Sequence, residues 1–227
     1  MARALEVLFV DNHLLVVVKH AGVPAVPDDS GDESLYDTAK AWVRREFEKS
    51  GDAFLGIVHR LDRPVSGVMV FARTTKGASR LSEQYRSRRA HKSYWGVGEG
   101  AIDAESGALS QWLEKDERTN RVRVLTHPSA LAKQAITRWR VVERRAGRTL
   151  YEFTPETGRP HQLRVAAASL GTPLVGDLKY GASAPLADKS IALHAFALEL
   201  EHPTRAERLR FTTPAPVLSV WDFDATR

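Results

Sequence analysis

Two runs rich in β-branched residues, Val7–Val10 and Leu14–Lys19, are separated only by Asp11-Asn12-His13, a spacing that fits a hairpin. The pattern recurs along the chain. An apolar run, Leu55–Val58, leads into His59-Arg60-Leu61-Asp62. Pro64 and Gly67 then break the backbone before a second apolar run, Val68–Ala72. Further strands are predicted at Lys92–Val97, Leu109–Leu113, Arg121–Leu125, Leu150–Thr154, Ile191–Leu200 and Arg208–Phe211. Gln134–Val142 alternates, with Ala135, Thr137, Trp139 and Val141 on one face. Helical spacing is rarer. Ser34 reads as an N-cap with Asp37 three residues on, before Leu35, Ala39, Trp42, Val43 and Phe47, and Gly51 closes that segment. A second helix is predicted from Thr75 to Arg89, with Leu81 and Tyr85 inward, and a third from His161 to Leu170, ended by Gly171. Strands outnumber helices and many neighbours are hairpin-linked. That predicts an α+β protein with a mixed, mostly antiparallel sheet, not a regular βαβ fold.

The 227 residues suffice for one large domain or two closely packed halves, and no linker or repeat marks a boundary, so residues 1–227 are read as a single domain. Cysteine is absent, which excludes disulfides, thiolate metal sites and the zinc chemistry of deaminases. No apolar stretch approaches the roughly 20 residues of a membrane span. The start, Met-Ala-Arg-Ala-Leu-Glu-Val-Leu, lacks a signal-peptide pattern, so a cytoplasmic protein is expected.

The net charge of +5 leans toward an anionic partner, and its distribution says more than its sum. Arg73, Lys76, Arg80, Arg86, Arg88, Arg89 and Lys92 follow one another, opposed only by Glu83. A solvated helix face more often carries both signs, so this run is the candidate nucleic-acid docking surface.

Asp62, flanked by Arg60 and Arg63 at a backbone break, is either a salt-bridged loop acid or a held nucleophile. A second polar cluster lies far along the chain, in Thr157-Gly158-Arg159-Pro160-His161-Gln162-Leu163-Arg164. It is followed by Gly176-Asp177-Leu178-Lys179-Tyr180-Gly181. Backbone N–H groups at a helix start favour an anion, and Arg159, His161, Gln162 and Arg164 would reinforce that preference.

Together these segments resemble the RluA-type pseudouridine synthases. The resemblance rests on His-Arg-Leu-Asp with Ser66-Gly67 after it, on Lys92-Ser93-Tyr94, on Thr-Gly-Arg-x-His-Gln-Leu-Arg and on Gly-Asp-x-x-Tyr-Gly. Leu193-His194-Ala195 and His202-Pro203 also fit. It runs from Val7 to Pro216 with the motifs in order. It implies a pseudouridine synthase-like fold, its central sheet flanked by helices with a catalytic cleft. It also implies catalytic roles for Asp62, Tyr94 and Arg164. Asp62 matches the aspartate that attacks the target uridine at sugar or base, Tyr94 the tyrosine against the base, and Arg164 the basic partner of the aspartate. Arg60 matches a residue that fills the gap left by an extruded base, and Arg159, His161 and Gln162 join it as substrate-binding candidates.

A carboxylate suits glycosyl chemistry as a covalent catalyst, and an arginine beside it offsets the cost of burying it. The net reaction is an isomerisation, so no metal or other cofactor is expected. The implied partner is rRNA, tRNA or both; no DNA or membrane partner is expected, and a monomer is the default. The chain starts directly at the catalytic domain, with no separate N-terminal RNA-binding module expected, so recognition falls to that domain. Departures from the family pattern fall at Val65, His20, Pro160 and Ala166-Ala167-Ala168. Two other readings stand beside this one. The first is an RNA-binding or ribosome-assembly factor whose synthase site is idle. The second is a glycoside hydrolase, which lacks a second carboxylate unless Asp177, read as part of a structural turn, supplies it.

Overall fold

In the computed structural model, residues 4–48 and 50–226 are described, so Met1–Arg3 of the start discussed above lie outside them. The elements in order are β1 (Val7–Val10), β2 (Leu14–Lys19), α1 (Leu35–Glu46), β3 (Gly56–Ile57), β4 (Ser66–Ala72) and α2 (Thr75–Arg86). There follow β5 (His91–Glu99), β6 (Ser106–Asp116), β7 (Arg121–Leu125), β8 (Lys133–Arg145), β9 (Arg148–Pro155), α3 (Gln162–Ser169), β10 (Leu193–Glu201) and β11 (Arg208–Thr212). The fold is α+β. The chain forms two compact units, Met1–His91 with Ala195–Thr213 and Lys92–His194 with Pro214–Arg227.

In the first unit, β1 and β2 form the predicted antiparallel hairpin. Its turn is closed by Asp11, whose carboxylate accepts from the amides of His13 and Leu14, each at 2.8 Å. β2 pairs with β4 from Leu14↔Ala72 to Lys19↔Gly67. Every residue of both strands is buried, which is why they read as continuous apolar runs without alternation. Leu14, Val16, Val68 and Val70 pack with Leu81 of α2 and with Leu198 and Leu200 of β10. Burying each such side chain contributes about 1.5–3 kcal/mol before entropy is counted. The Ser34–Asp37 capping box starts α1 as predicted. α2 ends at Arg86, three residues earlier than expected: Ser87 Oγ donates to the Glu83 carbonyl and Arg88 takes a left-handed φ of 60°. The Gln84 amide fastens α2 to β10, donating to Glu201 O and accepting from Glu201 N, both at 2.8 Å.

In the second unit the strands run β5-β9-β8-β6-β7, each neighbour antiparallel to the next. β8 and β9 meet at Ala146-Gly147, both at positive φ, the two-residue hairpin turn that suits strand twist. Ala135, Thr137 and Trp139 share a buried face, but Val141 is only partly buried because the register shifts between Val141 and Glu143. β6 exceeds its predicted length. Few of its side chains are buried, and backbone pairing with β7 and β8 defines it instead of apolar alternation. α3 starts one residue late, at Gln162, because His161 sits at φ 51°. Val97, Leu150, Val175, Ala192, Val220, Trp221 and Phe223 form a core cluster of this unit.

Candidate active site

The candidate residues fall in both units, and each group is taken within its own. In the first unit Asp62 is partly exposed on the loop between β3 and β4, where Val65 N donates to Asp62 O at 3.0 Å. The two flanking arginines do not use their heads on it. Arg63 Nε donates to the Gly22 carbonyl at 2.9 Å and its terminal nitrogen pairs with Asp32. Arg60 is exposed and makes no hydrogen bond or ion pair with any described residue. A turn salt-bridged through its own arginines, one of the two readings of this segment, is therefore not what forms.

What shapes the loop is backbone anchoring. His59 Nε2 accepts from Val70 N at 3.0 Å, which puts the proton of a neutral ring on Nδ1, and the ring stacks on Tyr85 at 5.0 Å. Gly67, at φ +128°, lies so close to Ala195 that an added Cβ would come within 2.3 Å of its carbonyl oxygen. Only glycine fits there.

Lys19, the last residue of β2, was not singled out in the sequence. It is fully buried, and its Nζ donates to the carbonyls of Val65 at 2.6 Å, Arg63 at 3.0 Å and His20 at 3.2 Å. Burial pushes its pKa down to about 7, against the Asp62 carboxylate, which raises it, and with Arg63, which lowers it further. The one available signal was a cation closing an otherwise apolar, fully buried strand.

In the second unit Tyr94 is buried on β5, directly across from Phe153 of β9. Arg164 is buried on α3 and makes a two-pronged pair with Asp177: Nε to Oδ2 and a terminal nitrogen to Oδ1, both at 2.7 Å. Its guanidinium also lies 5.1 Å from the centre of the Tyr180 ring. Asp177 thus does more than shape a turn. With both oxygens engaged and 1% exposure, it is ill placed to serve as a second catalytic acid.

Much of the polar cluster at the start of α3 is engaged within the protein. Gln162 Oε1 accepts from Thr157 Oγ1 and Arg159 N, and its Nε2 donates to Ile136 O and Thr137 Oγ1, which uses the whole amide. Arg159 Nε donates to Gln134 O at 2.9 Å. His161 Nδ1 lies 2.6 Å from the Tyr180 hydroxyl, which also accepts from Val122 N. These groups brace α3 against β7 and β8.

The basic run divides similarly. Arg73 is buried, donates to the Asp11 carbonyl and lies 3.7 Å from the centre of the Phe47 ring, so it is withdrawn from the docking set. Lys92 is partly buried, and burial pushes its pKa down to about 8. Arg80 is exposed but donates to Pro203 O at 2.5 Å. Arg86 and Arg89 are exposed and paired with Glu83 and Glu201. Arg88 is exposed, and Lys76 is exposed with no partner among the described residues. No group of three or more His, Cys, Asp or Glu among the described residues could hold a metal ion. No helix among them is long and apolar enough to cross a membrane.

Comparison with known proteins gives this geometry a context. The profile of the family described as RNA pseudouridylate synthase matches residues 13–169. An uncharacterised RNA pseudouridine synthase of Zymomonas mobilis is 36% identical over 216 residues, 94% of this chain and 94% of that one. The dual-specificity RNA pseudouridine synthase RluA of Haemophilus influenzae is 33% identical, covering 91% of each. The ribosomal large subunit pseudouridine synthase D of Xylella fastidiosa is 35% identical over 93% of this chain, which spans 66% of that longer protein. Among solved structures, human RNA pseudouridylate synthase domain containing 4 matches with a TM-score of 0.78 and 25% identity, over 93% of this chain and 89% of that one. With the Asp62 loop, Tyr94 and the Arg164 pair all falling on the motifs that carry the resemblance, the chain belongs to the RNA pseudouridylate synthase family, a family of isomerases.

Proposed function

We propose that this protein isomerises uridines of structured rRNA or tRNA to pseudouridine, with Asp62 as the nucleophile acting on a base flipped out of its stack. The observation that carries this reading is the Asp62 loop. Its backbone is anchored on several sides, yet Asp62 stays partly exposed and Arg60, two residues before it, is exposed with no partner among the described residues. A fixed carboxylate beside an idle cation is what attack on an extruded nucleotide needs, since the cation can occupy the vacated stack.

The chemistry balances without a co-reactant. The N1–C1′ bond breaks, the base turns, C5 bonds to C1′, the C5 proton leaves to solvent and N1 takes one up. Asp62 adds to the sugar or to the base and departs when the new bond forms. By the resemblance, Tyr94 lends a face to the base and Arg164 the counter-charge. Arg164 enters that role already oriented by Asp177. Extruding the base costs a few kcal/mol, which Arg60 partly offsets by filling the gap.

The test is release of tritium from RNA carrying C5-tritiated uridine. Release by the wild type and none by Asp62→Asn is expected. Activity retained by Asp62→Asn removes the nucleophile assignment. Undiminished RNA binding with no release from any RNA would instead favour a binding factor.

A further inference from the structure

The arginine that follows Asp62 in the chain has its guanidinium head against an exposed carboxylate of another loop. We propose that Arg63 is a phosphate ligand for RNA, and that in the free protein Asp32 occupies the place a phosphate takes when RNA binds. This rests on the reading of Asp62 as the point where RNA is modified, and adds to it a contact and a competitor.

Arg63 is tied to the loop between β2 and α1 in both directions. Gly22 N donates to the Arg63 carbonyl at 2.8 Å, and Arg63 Nε donates back to the Gly22 carbonyl at 2.9 Å. The root of the side chain and its Nε are thereby fixed, and the outer edge of the guanidinium is what remains for an anion. One terminal nitrogen pairs with Asp32, and the other has no partner among the described residues. A guanidinium carries five donors in a planar fork, a shape that suits phosphate as well as carboxylate.

Exposure decides how firmly the pair holds. The Arg63 side chain is 43% exposed and that of Asp32 56%, so the paired state is favoured by no more than about fivefold. A phosphate brings the same oxygens with more charge, and exchanging one anion for the other costs little. Position supplies the rest. Asp62 and Arg63 share one turn, closed by Val65 N donating to Asp62 O at 3.0 Å, so a nucleotide that meets Asp62 carries its flanking phosphates to that turn. Asp32 belongs to Asp28-Asp29-Ser30-Gly31-Asp32-Glu33, six exposed residues of which four are acids. Among the described residues, Asp32 is the one of these acids paired with a cation. RNA must displace it to gain Arg63, a threshold that loosely held RNA does not clear.

A pair that only staples two loops together makes a different prediction. The test measures the affinity of the full chain for unmodified rRNA and tRNA transcripts over a range of salt. Asp32→Asn is expected to tighten binding about three- to fivefold at low salt, the share of one exposed pair. Asp29→Asn removes the same charge from the same loop without touching Arg63 and is expected to change binding by under about 1.5-fold, since an exposed charge out of contact is largely screened. Arg63→Gln is expected to weaken binding and to flatten the log–log salt slope by about 0.7–0.9, the share of one phosphate. Arg63→Lys, which keeps the charge, restores the slope. In the Arg63→Gln background the gain from Asp32→Asn falls to that of Asp29→Asn.

A staple instead leaves Asp32→Asn binding RNA no better than the wild type, and that result overturns the proposal. So does a gain shared equally by Asp29→Asn, or one that survives in Arg63→Gln. These ratios are read from binding and stand apart from the nucleophile assignment. Tritium release by Asp62→Asn sinks that assignment alone, whereas an active enzyme whose RNA affinity answers to neither Asp32 nor Arg63 sinks the phosphate contact alone.

Discussion

Arg164 and Asp177 form a buried ion pair in which two parallel hydrogen bonds, each of 2.7 Å, join α3 to the loop that follows it. The pair gives an arginine at 6% exposure a fixed orientation without help from solvent. A lysine could not reproduce the two-pronged contact.

Removing the Asp177 carboxylate takes a two-pronged charged partner from a buried arginine. Asp177→Asn is therefore expected to destabilise the protein by about 3–5 kcal/mol, read as a lower urea midpoint with little change in slope. The double replacement Arg164→Met with Asp177→Leu is expected to be more stable than Asp177→Asn alone. Equal stabilities would mean the pair is solvated.

Gly67→Ala is expected to be among the most damaging small changes. The new Cβ would meet the carbonyl oxygen of Ala195 at 2.3 Å and its nitrogen at 2.5 Å, at a φ that side chains avoid. A loss of about 3 kcal/mol or more follows from the clash and the strain together. Thermal denaturation measures it, and an unaltered melting temperature would contradict the close approach.

Stability is expected to rise with pH above neutrality. Burial holds Lys19 at about 7 and Lys92 at about 8, both below the ordinary 10.5 of the unfolded chain. From pH 7 upward the unfolded state thus binds more protons than the folded one, and the free energy of unfolding increases until the unfolded lysines also titrate near 10.5. For Lys19 the gain is on the order of a few kcal/mol. Urea denaturation at several pH values should show the rise, and Lys19→Met should remove its lower part.

Replacing Arg86, Arg88 and Arg89 together by Ala is expected to weaken RNA binding and to flatten its salt dependence by about 1–2 in log–log slope. Arg86 and Arg89 pair with Glu83 and Glu201 in the free protein, exposed pairs worth about 1 kcal/mol or less that phosphates can replace. Global stability should change little. A salt slope equal to that of the wild type would exclude the end of α2 as a docking face.

Much of this protein was legible along the chain because its determinants are local. The Asp11 turn, the Ser34 cap and the buried runs of β2 and β4 announce themselves through turn chemistry, capping and hydrophobicity, which act over a few residues. The motifs around Asp62, Tyr94 and Arg164 were equally visible, and so was the family they resemble. What each polar side chain is paired with was not, because partners come from distant positions. Gln162 and Arg159 looked like ligand donors until β8 supplied their acceptors. Arg73 looked like a docking cation until Asp11 and Phe47 enclosed it. Lys19 looked like the end of a strand until the carbonyls of residues 63 and 65 converged on it. Sequence alone determined the α+β order of elements and the motifs on which the family resemblance rests. Tertiary structure alone decided which charges are spent on holding the fold and which are left exposed, since burial and pairing depend on neighbours that chain order does not reveal.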